Sequence, residues 1–333
     1  MLTLLACVHT RPPRIDPDVM PVLPAPRGDV YTRGVDRPND PLVATVVDGM
    51  RWTETLSGAA AAGALAMIGG ETLDLCKVRW YAVLAGYPYP VLGWLTLAVP
   101  KGELPEKLLE AARARSGKDI GLIRARAGEQ DRWVLIVGDP GPMFPALARE
   151  LELGSSVSLG PGAWTASDPY GEPRQVAETL RLDVPGEWMI GQGATSFPVY
   201  VGESPPERPP MVCAVGAGTA EERAEATINT MRTTYAYEPM KRDGALDSVA
   251  RVRLREELAG GEKHDAAEQL RAAGYVNVPV AAATCRANTV EACLADIWAS
   301  PAERAVIVGD LVEYGVASAV VGEQVVMVVV GAG

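Results

Sequence analysis

Apolar and polar positions follow three successive rhythms along this chain, with changes near residues 139 and 211. In the first stretch, Ser57 is placed to cap a helix through AAAAGALAMI, which Gly69-Gly70 stops. LDLCKVRWYAVLAG puts Leu75, Val78, Tyr81 (or Ala82) and Ala85 on one face of a second helix, and Pro88 and Pro90 break it. PEKLLEAARAR predicts a third helix with Pro105 as its first residue. DIGLIRAR and DRWVLIVGD flank AGEQ as a β-hairpin. Residues 41–138 therefore read as a small α+β domain. In the second stretch, glycine and proline recur between the short apolar runs SVSLG, ETLRLDV, EWMIG and SFPVYVG. That pattern predicts a small β-rich domain, a sandwich or partial barrel, over 139–210. It closes on the Pro-rich linker ESPPERPP.

The third stretch, 211–333, returns to helical spacing. Thr219-x-x-Glu222 is a capping box before a helix with Ala224, Ile228, Met231 and Tyr235 inward. ALDSVARVRLREELA turns Leu246, Val249, Ala250 and Leu254 inward and ends at Gly260-Gly261. HDAAEQLRAAG ends on Gly274. Asn288-x-x-Glu291 is read as the cap of a fourth helix carrying Leu294, Ile297 and Trp298. YGVASAVV and EQVVMVVV then pair across Gly322-Glu323, a two-residue hairpin turn. The fold class expected is α+β multidomain.

Composition changes this picture in two places. The net charge of −11 leaves no basic stripe for phosphates, so nucleic acid is excluded as a partner. No run reaches the roughly 18 apolar residues that span a bilayer. Leu4-Leu5-Ala6-Cys7 has the form of a lipobox, the sequence ahead of a lipidated bacterial cysteine. What precedes it is too short for a signal peptide, so the match requires a start further upstream or is chance. A lipid anchor at Cys7 is the reading preferred, because residues 8–40 are rich in Pro, Arg and Asp, as a flexible tether would be. Residues 1–40 then form a truncated leader and linker, and the membrane is met only through the anchor.

Of five cysteines, setting Cys7 aside leaves four. Cys285 and Cys293 are close in sequence and are expected to pair, leaving Cys76 for Cys213, as in an oxidising compartment. The alternative is four reduced, buried thiols. Two histidines cannot complete a Cys/His zinc finger.

Several motifs in the last third, in order, resemble the CAP superfamily of cysteine-rich secretory, antigen 5 and pathogenesis-related proteins (SCP-like). INTMR at 228–232 resembles the family's opening Asn-x-x-Arg helix. His264 with the LRAAGY that follows resembles its first histidine and R-x-x-x-G-Tyr stretch. TVEACLADIWASPAER resembles its helix, Trp and Ser-Pro-x-His-Arg, and YGVASA with VVMVVVG its last two strands. The resemblance implies an α-β-α sandwich over residues 211–333. It also implies a cavity lined by two histidines and one or two acidic residues, in some members holding a divalent metal. This chain departs from that pattern. Glu303 replaces the second histidine, and AAATCRAN at 281–288 has no glutamate where the family has Gly-Glu-Asn-Ile.

The candidate cavity residues are therefore His264, Glu303 and Trp298. Glu303 has a local reading, as the third position after Ser300 in a capping box with Pro301 first in the helix. Its second reading is a carboxylate ligand to zinc beside His264, which needs two more ligands. His264 has neither an orienting carboxylate nor a nucleophile in sequence, and reads as a helix-start residue. Trp298 reads as core. GAGT at 216–219 lacks the lysine of a P-loop, and WYAVLAGYPYP at 80–90 reads as a packed helix end. These residues predict an outer-membrane lipoprotein, or a secreted or periplasmic protein, of the bacterial cell envelope. Its degenerate, non-catalytic CAP-like domain would need no cofactor and would bind a protein, envelope glycan or lipid. The alternative is a metal-dependent hydrolase or peptidase using His264 and Glu303.

Overall fold

The computed structural model describes residues 28–32, 34, 37–141, 145–206, 211, 215–260 and 264–333. Cys7, Cys213 and most of the expected linker 1–40 lie outside them. The chain is a mixed α/β protein that divides into two compact units. One holds most of residues 28–140. The other holds 141–333 together with 29–32 and 88–90.

The first unit is built on a four-stranded sheet in the order Arg51–Trp52, Asp119–Ala127, Gln130–Gly138, Val91–Pro100. Arg51–Trp52 runs parallel to its neighbour, and the other pairs are antiparallel. The hairpin turns at Gly128, whose φ of +62° suits glycine. The helix Glu54–Ile68 starts earlier than Ser57 predicts, because Thr53 accepts a hydrogen bond from the Leu56 N–H and caps it. Ser57 lies inside the helix, buried, and its hydroxyl accepts from the Leu122 N–H at 3.1 Å. That bond ties helix to sheet. Asp74 caps the helix Leu75–Leu84, and Pro105 precedes the helix Glu106–Arg113 as its N-cap. Trp52, Leu108, Ile120, Leu122, Trp133 and Leu135 fill the core.

The second unit contains both the β-rich stretch and the C-terminal helices. Its five-stranded sheet runs Pro173–Val176, Trp164–Ser167, Gly186–Gln192, Thr195–Val201, Glu150–Leu151. Val30–Tyr31 pairs with Leu147–Ala148, and buried Tyr31 donates its hydroxyl to the Pro198 carbonyl. A four-stranded sheet follows, in the order Lys241–Arg242, Glu313–Val321, Gln324–Ala332, Val280–Ala287. The helix Gly244–Ala259 lies on one face, where Leu246, Ala250 and Leu254 meet Ala317, Val326, Val328 and Val330. Met327 and Val329, pointing the other way, are buried beneath Val290–Ala299 and Ala305–Val308. Helices therefore cover both faces. A Cβ on Gly315 would stand 2.1 Å from the Leu246 carbonyl carbon, so glycine sets how closely the first helix sits.

The two parts of this unit touch through another glycine. Gly171, at φ +84°, lies against Ala305, and a Cβ there would approach the Ala305 Cα to 2.7 Å. The capping box Thr219–Glu222 is formed in full at the start of the helix Ala220–Thr234. The cap of Val290–Ala299 is Thr289, not Asn288. Glu291 is turned inward and forms no capping box: its carboxylate accepts from the Gly216 N–H and pairs with Arg223.

Candidate functional site

The Ser-Pro-Ala-Glu-Arg segment folds as a turn in which the Glu303 and Arg304 N–H groups donate to the Ser300 carbonyl. The turn drives the Arg304 side chain into the protein, where the residue is 0% exposed. Burying a guanidinium requires a counter-ion. Arg304 Nη2 donates to Glu187 Oε1 at 2.6 Å, from the strand Gly186–Gln192, and Glu187 is itself buried. The same oxygen accepts from the Tyr235 hydroxyl at 2.9 Å. Tyr235 caps the end of the helix Ala220–Thr234, and its hydroxyl accepts a bond from the Trp298 indole. Trp298 also carries the Arg304 guanidinium over its ring, at 5.9 Å from the centroid.

This network is incomplete. Glu187 Oε2, Arg304 Nε and Nη1, and the Tyr200 hydroxyl are buried and have no hydrogen-bond partner. Burial, and then the Glu187 carboxylate, push the Tyr235 and Tyr200 hydroxyls well above the ordinary tyrosine pKa. Both stay protonated at neutral pH. Glu187, Arg304, Tyr235 and Tyr200, but not Trp298, line a pocket of about 340 Å³ with Tyr237, Glu203, Ser204 and Thr234. Partial burial, and then the Glu187 charge, raise the Glu203 pKa from its ordinary value.

A second buried arginine, Arg232, holds the segment that follows Arg304. Arg232 Nη1 donates to the carbonyls of Ile307 and Gly309, Nη2 to that of Leu311, and Nε to that of Glu238. The short helix Ala305–Val308, which begins at Arg304, is thus held at its C-terminal end. Asn229, one turn earlier, bonds both the N–H and the carbonyl of Met240. Asn229 and Arg232 of INTMR therefore organise backbone.

No family model matches the chain, and no curated protein matches it. Among solved structures, a cysteine-rich secretory protein from Staphylococcus aureus is similar over 73% of this chain and 85% of that one, at 14% identity and a TM-score of 0.29.

The structure places the three cavity residues expected from sequence in different surroundings. Trp298 belongs to the network around Glu187. Glu303, the neighbour of Arg304, turns the other way, and its carboxylate accepts from the Thr284 N–H at 3.2 Å. It closes no capping box, because the residues after Ser300 form a turn and the helix begins only at Ala305. His264 has a side chain 74% exposed, and its Nδ1 meets Glu256 at 2.7 Å. Ligation of zinc needs convergent groups. His264 and Glu303 face different partners, and no cluster of three His, Cys, Asp or Glu occurs among the described residues. The pair as it stands does not fit a zinc site.

Cys285 and Cys293 form a disulfide that joins the strand Val280–Ala287 to the helix Val290–Ala299, with Cα atoms 5.4 Å apart. Cys76 is also disulfide-bonded. The GAGT loop does not cradle an external anion with Gly216, since that N–H already serves Glu291. Tyr87 and Tyr89 of the aromatic stretch are buried. Sequence reasoning missed Glu187, Tyr200 and Arg304 as site residues, and met Arg232 only as the arginine of INTMR. One signal was available: Arg304 stands directly before the apolar run AVIV, a poor place for a solvated charge.

Proposed function

We propose that this protein is a non-catalytic binding protein of the bacterial cell envelope, with a degenerate CAP-like C-terminal region, and that the pocket beside Glu187 and Arg304 receives its ligand. The observation that carries the reading is the unsaturated, buried Glu187–Arg304 pair in the pocket wall. Buried polar atoms normally find partners, and clusters left open beside a cavity mark binding sites. Chemistry has less support. The tyrosines are held protonated, so none is a nucleophile, and the pocket lining holds no cysteine or histidine; its Ser204 hydroxyl donates to the Glu150 carboxylate at 3.0 Å with no histidine between them. Attachment through Cys7, and an envelope protein, glycan or lipid as the larger partner, complete the proposal. Its sequence support is the lipobox and the Pro-rich stretch behind it.

The test is a zinc titration of the full chain by calorimetry, beside His264→Ala and Glu303→Gln. We expect no saturable zinc heat that either substitution removes. Tight zinc binding lost in both variants would replace this reading with the metal-dependent hydrolase.

A further inference from the structure

The pocket's charges indicate what class of ligand it takes. We infer that it binds a neutral, hydroxyl-rich ring, that is, a carbohydrate unit; this rests on the binding reading above and names its ligand. The wall carries both signs. Arg304 repels an ammonium group, while Glu187 and Glu203 repel a carboxylate or phosphate. A ligand with a full charge of either sign meets a like charge on entry. A hydroxyl group meets no such conflict, because it donates and accepts at once.

The open valences match that dual character. Arg304 Nε and Nη1 are donors, Glu187 Oε2 is an acceptor, and the Tyr200 hydroxyl is both. As the side chains stand these atoms are covered, and a seated ligand reaches them by rotation of Glu187 or Tyr200. Adjacent hydroxyls on one ring present the required mixture at short spacing. The apolar part of the wall is equally suited: Tyr235, Tyr237, Pro169 and Pro206 offer flat surfaces to the C–H face of a sugar. At about 340 Å³ the pocket is at the small end of ligand sites, which run to roughly 1,000 Å³. That admits a terminal ring or short unit and not a long chain lying flat.

The experiment uses the full chain and saturation-transfer NMR. The probes are glucose, N-acetylglucosamine, chitobiose, cellobiose and maltose, with glucosamine and glucuronate as ring-matched cation and anion. We expect at least one neutral sugar to bind and both charged rings to bind more weakly than glucose. We also expect affinity for the bound sugar to fall about tenfold in Glu203→Gln, which loses a charged acceptor at the rim. In Tyr237→Leu, which removes an aromatic wall, it falls about fivefold. Both substitutions leave the buried pair intact. Preferential binding of glucosamine or glucuronate would overturn the inference and leave the binding reading standing. Sugar binding unchanged in both variants would overturn it by placing the sugar elsewhere. Binding of no probe would overturn the inference and take with it the case for this pocket as a ligand site.

Discussion

Glu291 and Glu187 are both buried carboxylates gripped by an arginine, and they end in different states. Glu291 is saturated. Arg223 reaches it through Nε at 2.9 Å and Nη2 at 2.5 Å, and the Gly216 N–H supplies a third bond at 2.9 Å. Its arginine is partly solvated, with a side chain 18% exposed. Glu187 uses one oxygen for two donors and leaves the other open, and its arginine is sealed in with two unpartnered nitrogens. The two glutamates lie in the same unit. A saturated pair fastens a loop to a helix. An unsaturated pair retains hydrogen-bonding capacity, and it is the one that borders a cavity. Incomplete satisfaction, more than burial or charge, separates a site from a strut here.

The comparison breaks most visibly if one partner is removed. Glu187→Leu leaves Arg304 buried without a counter-ion and is expected to cost about 3–5 kcal/mol in denaturant unfolding. Glu187→Leu with Arg304→Leu should recover much of that loss, since an apolar pair of similar volume replaces two charges. Simple additivity of the two single substitutions would show that the residues are not coupled.

Glu291→Gln is expected to cost about 2 kcal/mol at neutral pH, because a charged, bidentate acceptor becomes a neutral one. Burial alone would raise the pKa of Glu291, but the Arg223 and Gly216 bonds outweigh it and hold the group below its usual 4.5. The unfolded chain therefore takes up this proton first as pH falls. The stabilisation is complete above about pH 5 and is lost as pH drops through the folded value. Stability curves of the parent and Glu291→Gln should converge on acidification. Parallel curves through that range would show that Glu291 does not titrate as argued.

Tyr235→Phe should have the smallest effect, about 1 kcal/mol in thermal unfolding. It removes the hydroxyl that links Trp298 to Glu187 but keeps the ring and the Arg304 bond. A loss as large as that of Glu187→Leu would mean that the tyrosine, not the arginine, holds the network together.

Much of the C-terminal architecture is legible in sequence because its signals are local. Leu246, Val249, Ala250 and Leu254 repeat at helical spacing and are all buried. Thr219 and Glu222 are three residues apart and form their box within one turn. Gln324–Ala332 pairs back on its neighbour across two residues. Where local signals compete, the pattern misplaces them. Thr53 and Ser57 both suit a cap, and the alanine-rich run between them and Gly69 has no polar face to mark where the helix begins. Asn288 and Thr289 compete in the same way. The strand Val91–Pro100 is mostly half-buried without clean alternation, so no period announces it. The candidate site is harder still. Of its members sequence singles out only Trp298 as a cavity residue and gives Tyr235 merely as an inward helix position, because Glu187 and Arg304 are 117 residues apart and nothing near either one reports the other. Glu303 drew attention by standing where a familiar histidine would be, while the chemistry lay one residue further on.

Arg232 has a consequence for the order in which this molecule assembles. Three of the carbonyls it binds lie 75 to 79 residues away. A contact that spans such a loop forms late, since the entropy of closing the loop is spent before any bond returns it. The helix Ala305–Val308 has four residues, too few to persist by itself. It takes shape only when the guanidinium arrives from the other helix. The segment that follows the pocket residue Arg304 is therefore completed late, as the fold nears its finished form.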